Sequence, residues 1–320
     1  MPRRSHLAPP ASSLTRAKIV FWNERELRAG WRLAIFFLLV ASLITMGLAI
    51  LTKLLHVPPM TAATFTPWSM LSQEVLQFAA TVGATAIMGA LEIRPFSAYG
   101  LPLAGVFGAR FWQGAAWGIA MIAATMSLIL VFGGFSLGEL ALHGPAIWSY
   151  ALIWGLVFVT VGLFEEFLFR GYAQFTLASG LKFWPAAAIL SALFGMVHLL
   201  NGGEDKIGAL GVFVIGMFFC LTLWRTGSLW FAVGLHSAFD WGETFLFSVP
   251  DSGIVAPGHL LNSSLHGPVW LTGGTVGPEA SVMAFLVVGV AAVIFAWVFP
   301  PRGEQSAVPQ NSPGSAHDSE

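Results

Sequence analysis

Residues 162–171 read Gly-Leu-Phe-Glu-Glu-Phe-Leu-Phe-Arg-Gly, inside an apolar run that starts near Ile147. Glu165, Glu166 and Arg170 therefore fall in a segment long enough to cross a bilayer. A charge at bilayer depth costs at least ~2.5–3.5 kcal/mol on insertion scales, so each such residue is a functional candidate. Two other apolar runs carry the same kind of exception. His198 lies in ALFGMVHLL (192–200), and His236, Asp240 and Glu243 lie in GLHSAFDWGETFLF (234–247).

The rest of the chain has the character of a membrane protein. Of its 320 residues 56% are hydrophobic and 10% charged, with mean hydropathy +0.75. A soluble domain carries about 25% charged residues, so a soluble monomer is excluded. Eight apolar runs have spanning length: Leu33–Leu51, Val75–Leu91, Phe111–Phe132, Ile147–Phe169 or beyond, Trp184–Leu200, Ile207–Trp224, Leu229–Phe247 and Ala280–Val298. Pro and Gly breakers separate them. Open sheet edges cannot face lipid, so the fold class expected is an all-α membrane protein, a polytopic bundle of about eight transmembrane helices. Gly114-x-x-x-Gly118 in the third run is a weak signal for a close helix contact among 35 glycines. The single cysteine, Cys220, rules out an internal disulfide and a Cys-based zinc site.

The chain divides into a basic cytoplasmic segment (1–30), N-terminal transmembrane helices (31–146), a core holding the charged spans (147–247), an extracytoplasmic loop (248–279), a last transmembrane helix (280–300) and a polar, disordered cytoplasmic tail (301–320). Sidedness follows from Lys and Arg. With the N-terminus cytoplasmic, only Lys53 and Lys206 of the 15 basic residues fall on the outer side, and Arg170 is counted with the inner ones. Both termini are then cytoplasmic, and Ser248–Glu279, which has no Lys or Arg, faces out. The net charge of −1 gives no sign of a nucleic-acid partner.

The polar residues reach one depth if the fourth helix continues through Arg170 to about Ser179 and stops at Gly180. Glu165 and His198 then lie roughly 21 Å from their shared connection, at 1.5 Å rise per residue. His236 and Asp240, spaced i and i+4, share a helix face. Glu165 and Glu166 point about 100° apart and need different partners. Glu166 and Arg170 form an i, i+4 pair that neutralises itself, a structural and supporting role that leaves Glu165 available as a general base. His198 would share or relay the proton. His236 and Asp240 would either bind a metal or stabilise a developing oxyanion.

Glu165-Glu166-x-x-x-Arg170, Phe194-x-x-x-His198 and His236-x-x-x-Asp240, in that order, resemble the motifs of the CAAX prenyl protease and bacteriocin-processing family, also called abortive-infection or type II CAAX endopeptidases. The resemblance spans Ile147 to Phe247. It implies an intramembrane endopeptidase with Glu165, His198, His236 and Asp240 as catalytic residues, activating water for attack on a peptide bond. It leaves the cofactor open between none and a divalent metal such as zinc, whose ligands would be those same four residues. The implied partners are the lipid bilayer and a membrane-embedded or lipid-anchored protein or peptide; entry from the cytoplasmic side is expected because the connection after the fourth helix lies there. The implied location is the bacterial inner membrane. Two other classes compete: a non-catalytic scaffold or immunity-type protein, and a proton-coupled transporter. The lack of a matching polar set in the first half counts against the transporter.

Overall fold

The computed structural model describes residues 21–22, 27–61 and 64–301. Arg3, Arg4, Arg16, Lys18 and Arg25 of the basic segment, and the tail from Arg302, lie outside the described residues. Every apolar run is helical, and the protein is an all-α polytopic bundle. The helices are α1 (Ala29–Lys53), α2 (Pro67–Leu91), α3 (Ala109–Val131), α4 (Pro145–Glu166), α5 (Ala173–Leu181), α6 (Phe183–His198), α7 (Lys206–Thr226), α8 (Leu229–Trp241), the single turn α9 (Val269–Thr272) and α10 (Val282–Val298). Their starts are chemically marked. Thr66 and Ser69 form a capping box ahead of α2, Pro145 opens α4, and Asp205 and Ser281 cap α7 and α10.

Among the described residues, five helical segments are long and apolar enough to cross a membrane: α1, α2, α3, the continuous Pro145–Leu181 and α7. The other three runs give shorter helices. α6 has 16 residues, α10 has 17, and α8 has 13 followed by a π-helical turn at Gly242–Leu246. α8 has no need to match the hydrocarbon thickness alone, because protein encloses it: every residue from Leu229 to Ser237 is buried. The fourth span does run on past Arg170, but through a π turn at Phe167–Tyr172 with a break at Gly171 (φ −82°, ψ −122°). Gly180 lies inside α5, and the chain reverses at Lys182, at φ 70°.

The Gly114-x-x-x-Gly118 signal marks the closest helix contact of the bundle's centre. A Cβ at Gly114 would run into the Phe231 carbonyl oxygen of α8, and one at Gly118 into that of Leu235. Gly234 meets the Phe111 carbonyl reciprocally. These contacts press α8, and with it His236, against α3. Gly114→Val should cost ~1–3 kcal/mol or more by overpacking. Gly289→Ala on α10, where a Cβ meets nothing within 4 Å, should leave the melting temperature in detergent unchanged. Equal melting of the two variants would contradict the tight α3–α8 seam.

Contacts also tell which connections share an end. At one end Arg32 and Tyr172 both bond Glu92, Leu229 N–H donates to the Gly100 carbonyl (2.8 Å), and Trp230 Nε1–H donates to that of Pro102 (3.0 Å). Arg28, Arg94, Arg110, Lys182 and Arg225 lie at or next to this end. At the other end β1 (Phe135–Ser136) pairs antiparallel with β2 (Ser264–Leu265), and Trp154 Nε1–H donates to the Pro257 carbonyl (3.1 Å). The 248–281 segment is therefore a packed cap, with α9 inside it. Arg170 does not belong to the basic end: it is fully buried in the bundle.

Candidate active site

The site is built where α4, α6 and α8 meet. The π turn after Glu166 carries the Arg170 side chain inward, where it is fully buried. Its Nη1 donates to Glu166 Oε1 (3.2 Å), and its guanidinium lies 4.4 Å from the Phe194 ring centre and 5.4 Å from that of Phe219. Two aromatic faces and one carboxylate thus receive a charge that lipid could not. Glu166, also fully buried, does more than neutralise Arg170. The same oxygen accepts a hydrogen bond from His236 Nδ1–H (3.1 Å). The Phe219 ring stacks on the imidazole at 5.0 Å and 22°.

With Nδ1 so held, His236 Nε2 faces two further acids. It lies 3.6 Å from Glu165 Oε2 and 3.3 Å from Asp240 Oδ2. Both ring nitrogens face carboxyl oxygens, the arrangement of an imidazolium donating on each side. His198 is set differently. Its Nδ1–H donates to the Phe194 carbonyl (2.9 Å), so Nε2 carries the lone pair, and its ring packs edge-on against Phe194 at 4.6 Å. Phe194 thus touches both the cation and the His198 ring.

Glu165, His198, His236 and Asp240 all line one cavity of about 250 Å³, whose remaining wall is mostly apolar. Glu165 keeps 21% of its side chain accessible while Glu166 keeps none. The two adjacent acids are divided as their 100° separation requires: Glu165 to the cavity, Glu166 to the packed interior. Glu165 is within electrostatic reach of His198, His236 and Asp240.

Three acids of this cavity were not singled out from the sequence, and a fourth, Glu243, was noted there only as a charge in an apolar run. Glu74 on α2 is 8% exposed, takes a hydrogen bond from Gln77 Nε2 (3.0 Å), and lies within reach of Glu165. Hydropathy begins the second run at Val75, but capping at Thr66 starts the helix earlier and draws Glu74 inside. The pair Glu74 and Gln77, spaced i and i+3, was the available signal. Glu243, which the sequence marks as a charge in an apolar run without assigning it a role, is 1% exposed in the π turn after α8 and also lines the cavity. Asp251 and Glu279, in the capping segment, complete the set. Burial, then the nearby Asp240, pushes the Asp251 carboxyl well above its usual range, and burial likewise raises Glu279. Beside them Glu204 is raised to about 7, first by burial and then by Glu279.

Among the described residues no group of three or more His, Cys, Asp and Glu side chains is arranged to hold an ion. Each His236 nitrogen already faces an acid oxygen, which suits proton transfer better than ligation. The residues as placed do not fit a divalent metal.

Residues 146–242 match the family model described as type II CAAX prenyl endopeptidase Rce1-like. The matched stretch ends just past Asp240 and contains all seven motif residues. No curated protein and no solved structure matches the chain.

Proposed function

We propose, from the premise that residues 146–242 form a type II CAAX-type endopeptidase core, that this protein hydrolyses a peptide bond of a membrane-embedded or lipid-anchored chain. The observation that carries the reading is the His236 ring, held by Glu166 on one nitrogen and facing Glu165 and Asp240 with the other, in the same cavity as His198. Glu165 takes a proton from a water as the water oxygen attacks the scissile carbonyl carbon. The oxyanion that develops receives the Nε2–H of His236, turned towards it and screened by Asp240. The C–N bond then breaks, and the proton on Glu165 passes to the departing amine, with His198 Nε2 as the relay. Water adds across the amide, giving one carboxylic acid and one amine, and every residue returns to its starting state.

Shelter from lipid comes from the apolar wall of Trp154, Phe158, Val161 and Phe239. The test is reconstitution in proteoliposomes with bilayer-embedded peptides, run in ¹⁸O-water. A single ¹⁸O in the new carboxylate of a cleaved peptide is expected. A folded preparation that cleaves none of the peptides but dissipates an imposed pH gradient would move the transporter reading ahead.

A further inference from the structure

We infer that Gln73 of α2 belongs to the substrate site and hydrogen-bonds the backbone of the bound chain one or two residues from the scissile bond. The inference rests on the endopeptidase reading and deepens it. α2 lies wholly outside the stretch that matches the family model, so the matched core does not supply this contact.

The first observation is the level at which Gln73 stands. α2 packs along α4, and two ring contacts fix their register. Phe65 lies against Trp154 (6.3 Å between ring centres) and Phe78 against Phe167 (6.4 Å). Both pairs are 89 residues apart (154 less 65, and 167 less 78), so the two segments run parallel without slipping. At that register Gln73 is level with Gly162, three residues before Glu165, or about 4.5 Å along the helix at 1.5 Å per residue. Glu74 is within electrostatic reach of Glu165, as the register requires. Met70, Gln73 and Glu74, at i, i+3 and i+4, share a face of α2 and line the cavity. Phe158, Val161 and Glu165 of α4 line it at the same depth.

The second observation is the chemistry of that position. Gln77 Nε2–H donates to Glu74 Oε1 (3.0 Å), so these two neighbours satisfy each other. Gln73 is half-buried, and among the described residues its carboxamide has no hydrogen-bond partner. An unpaired amide in a membrane helix is unfavourable and does nothing for the fold. A bound chain gives it a partner. A bilayer-embedded substrate is helical, and its scissile carbonyl is held by its own i, i+4 bond until the chain unwinds. Unwinding turns peptide N–H and C=O groups towards Phe158 and Val161, which cannot pair them. A glutamine offers one donor group and one acceptor, the complement of an extended peptide group. An extended chain advances about 3.3 Å per residue, so an offset of about 4.5 Å from Glu165 reaches the first or second peptide group beside the scissile bond.

The test couples the side chain to one bond of the substrate. The probe is a bilayer-embedded leucine/alanine peptide with a central Ser-Gly-Gly break, together with copies in which one central amide at a time is replaced by an ester. An ester keeps the shape, deletes the N–H and weakens the carbonyl as an acceptor. Binding is scored on the Glu165→Gln protein, so that it is read without cleavage. Adding Gln73→Met keeps the length of the side chain and removes its amide. The melting temperature should not fall, since no contact within the fold is lost, and the all-amide peptide should bind ~10-fold more weakly. One ester peptide should bind the Gln73 protein ~10-fold more weakly as well, and the two changes together should cost no more than either alone. Gln73→Leu replaces the Met variant if that one folds poorly. Losses that add, a variant that binds every peptide as its parent does, or a folded parent that binds none of them overturns the inference. Because the coupling needs no turnover, a failed protease assignment would appear as absent cleavage by the wild type with the coupling at Gln73 intact.

Discussion

Glu165→Gln is expected to leave the bundle folded and to lower peptide cleavage by ~10²–10⁴-fold, the usual contribution of a positioned acid-base group. The substitution keeps shape and hydrogen-bonding capacity while removing the proton acceptor. Glu165 tolerates it because 21% of its side chain remains accessible, in contrast to the closed surroundings of Glu166. His198→Ala should be of similar severity, and the double variant little worse than either single one, since groups acting on one proton are not additive. Glu74→Gln is the informative comparison. Glu74 lies within reach of Glu165 and borders the same cavity, but it faces neither histidine in a direct ion pair. If Glu74→Gln abolishes cleavage while Glu165→Gln retains near-wild-type kcat/KM, the base has been placed on the wrong helix.

The contrast between those two acids shows what a sequence exposes. Glu165 was visible because it interrupts an apolar run at a recognisable spacing from Arg170, and because three motifs fall in order. The i, i+4 relation of His236 and Asp240 also translated directly into geometry, 3.3 Å between their polar atoms. Glu74 was invisible because hydropathy windows place a helix start where apolar character begins, whereas a capping box and Pro67 set it several residues earlier. The π turns were not legible either. Nothing in Phe-Leu-Phe-Arg-Gly-Tyr announces an extra residue in the helical turn, yet that turn aims Arg170 inward and invalidates counting it as a cytoplasmic charge. The 248–281 segment read as a bare loop because its pairing partners, near Phe135 and Leu140, are more than a hundred residues away.

Arg170→Ala should be the most damaging substitution for the fold. Removing one partner of a buried pair typically costs ~3–5 kcal/mol, because the remaining charge is left uncompensated. Here the remaining charge is Glu166, and it also holds His236 Nδ1, so the defect spreads into the site. Lysine is not an adequate replacement. The guanidinium lies over the Phe194 and Phe219 rings while bonding Glu166, a planar contact that an ammonium cannot reproduce, so Arg170→Lys should recover only part of the stability. The double variant Glu166→Gln with Arg170→Met separates fold from chemistry. With both charges gone, most of the melting temperature should return, while cleavage stays low because a neutral amide no longer fixes the protonated His236. Thermal unfolding in detergent and cleavage on the same preparations read the two effects. If Arg170→Ala instead melts like the wild type and only loses activity, its guanidinium serves the substrate, and the buried pair is not what holds the α4 turn in place.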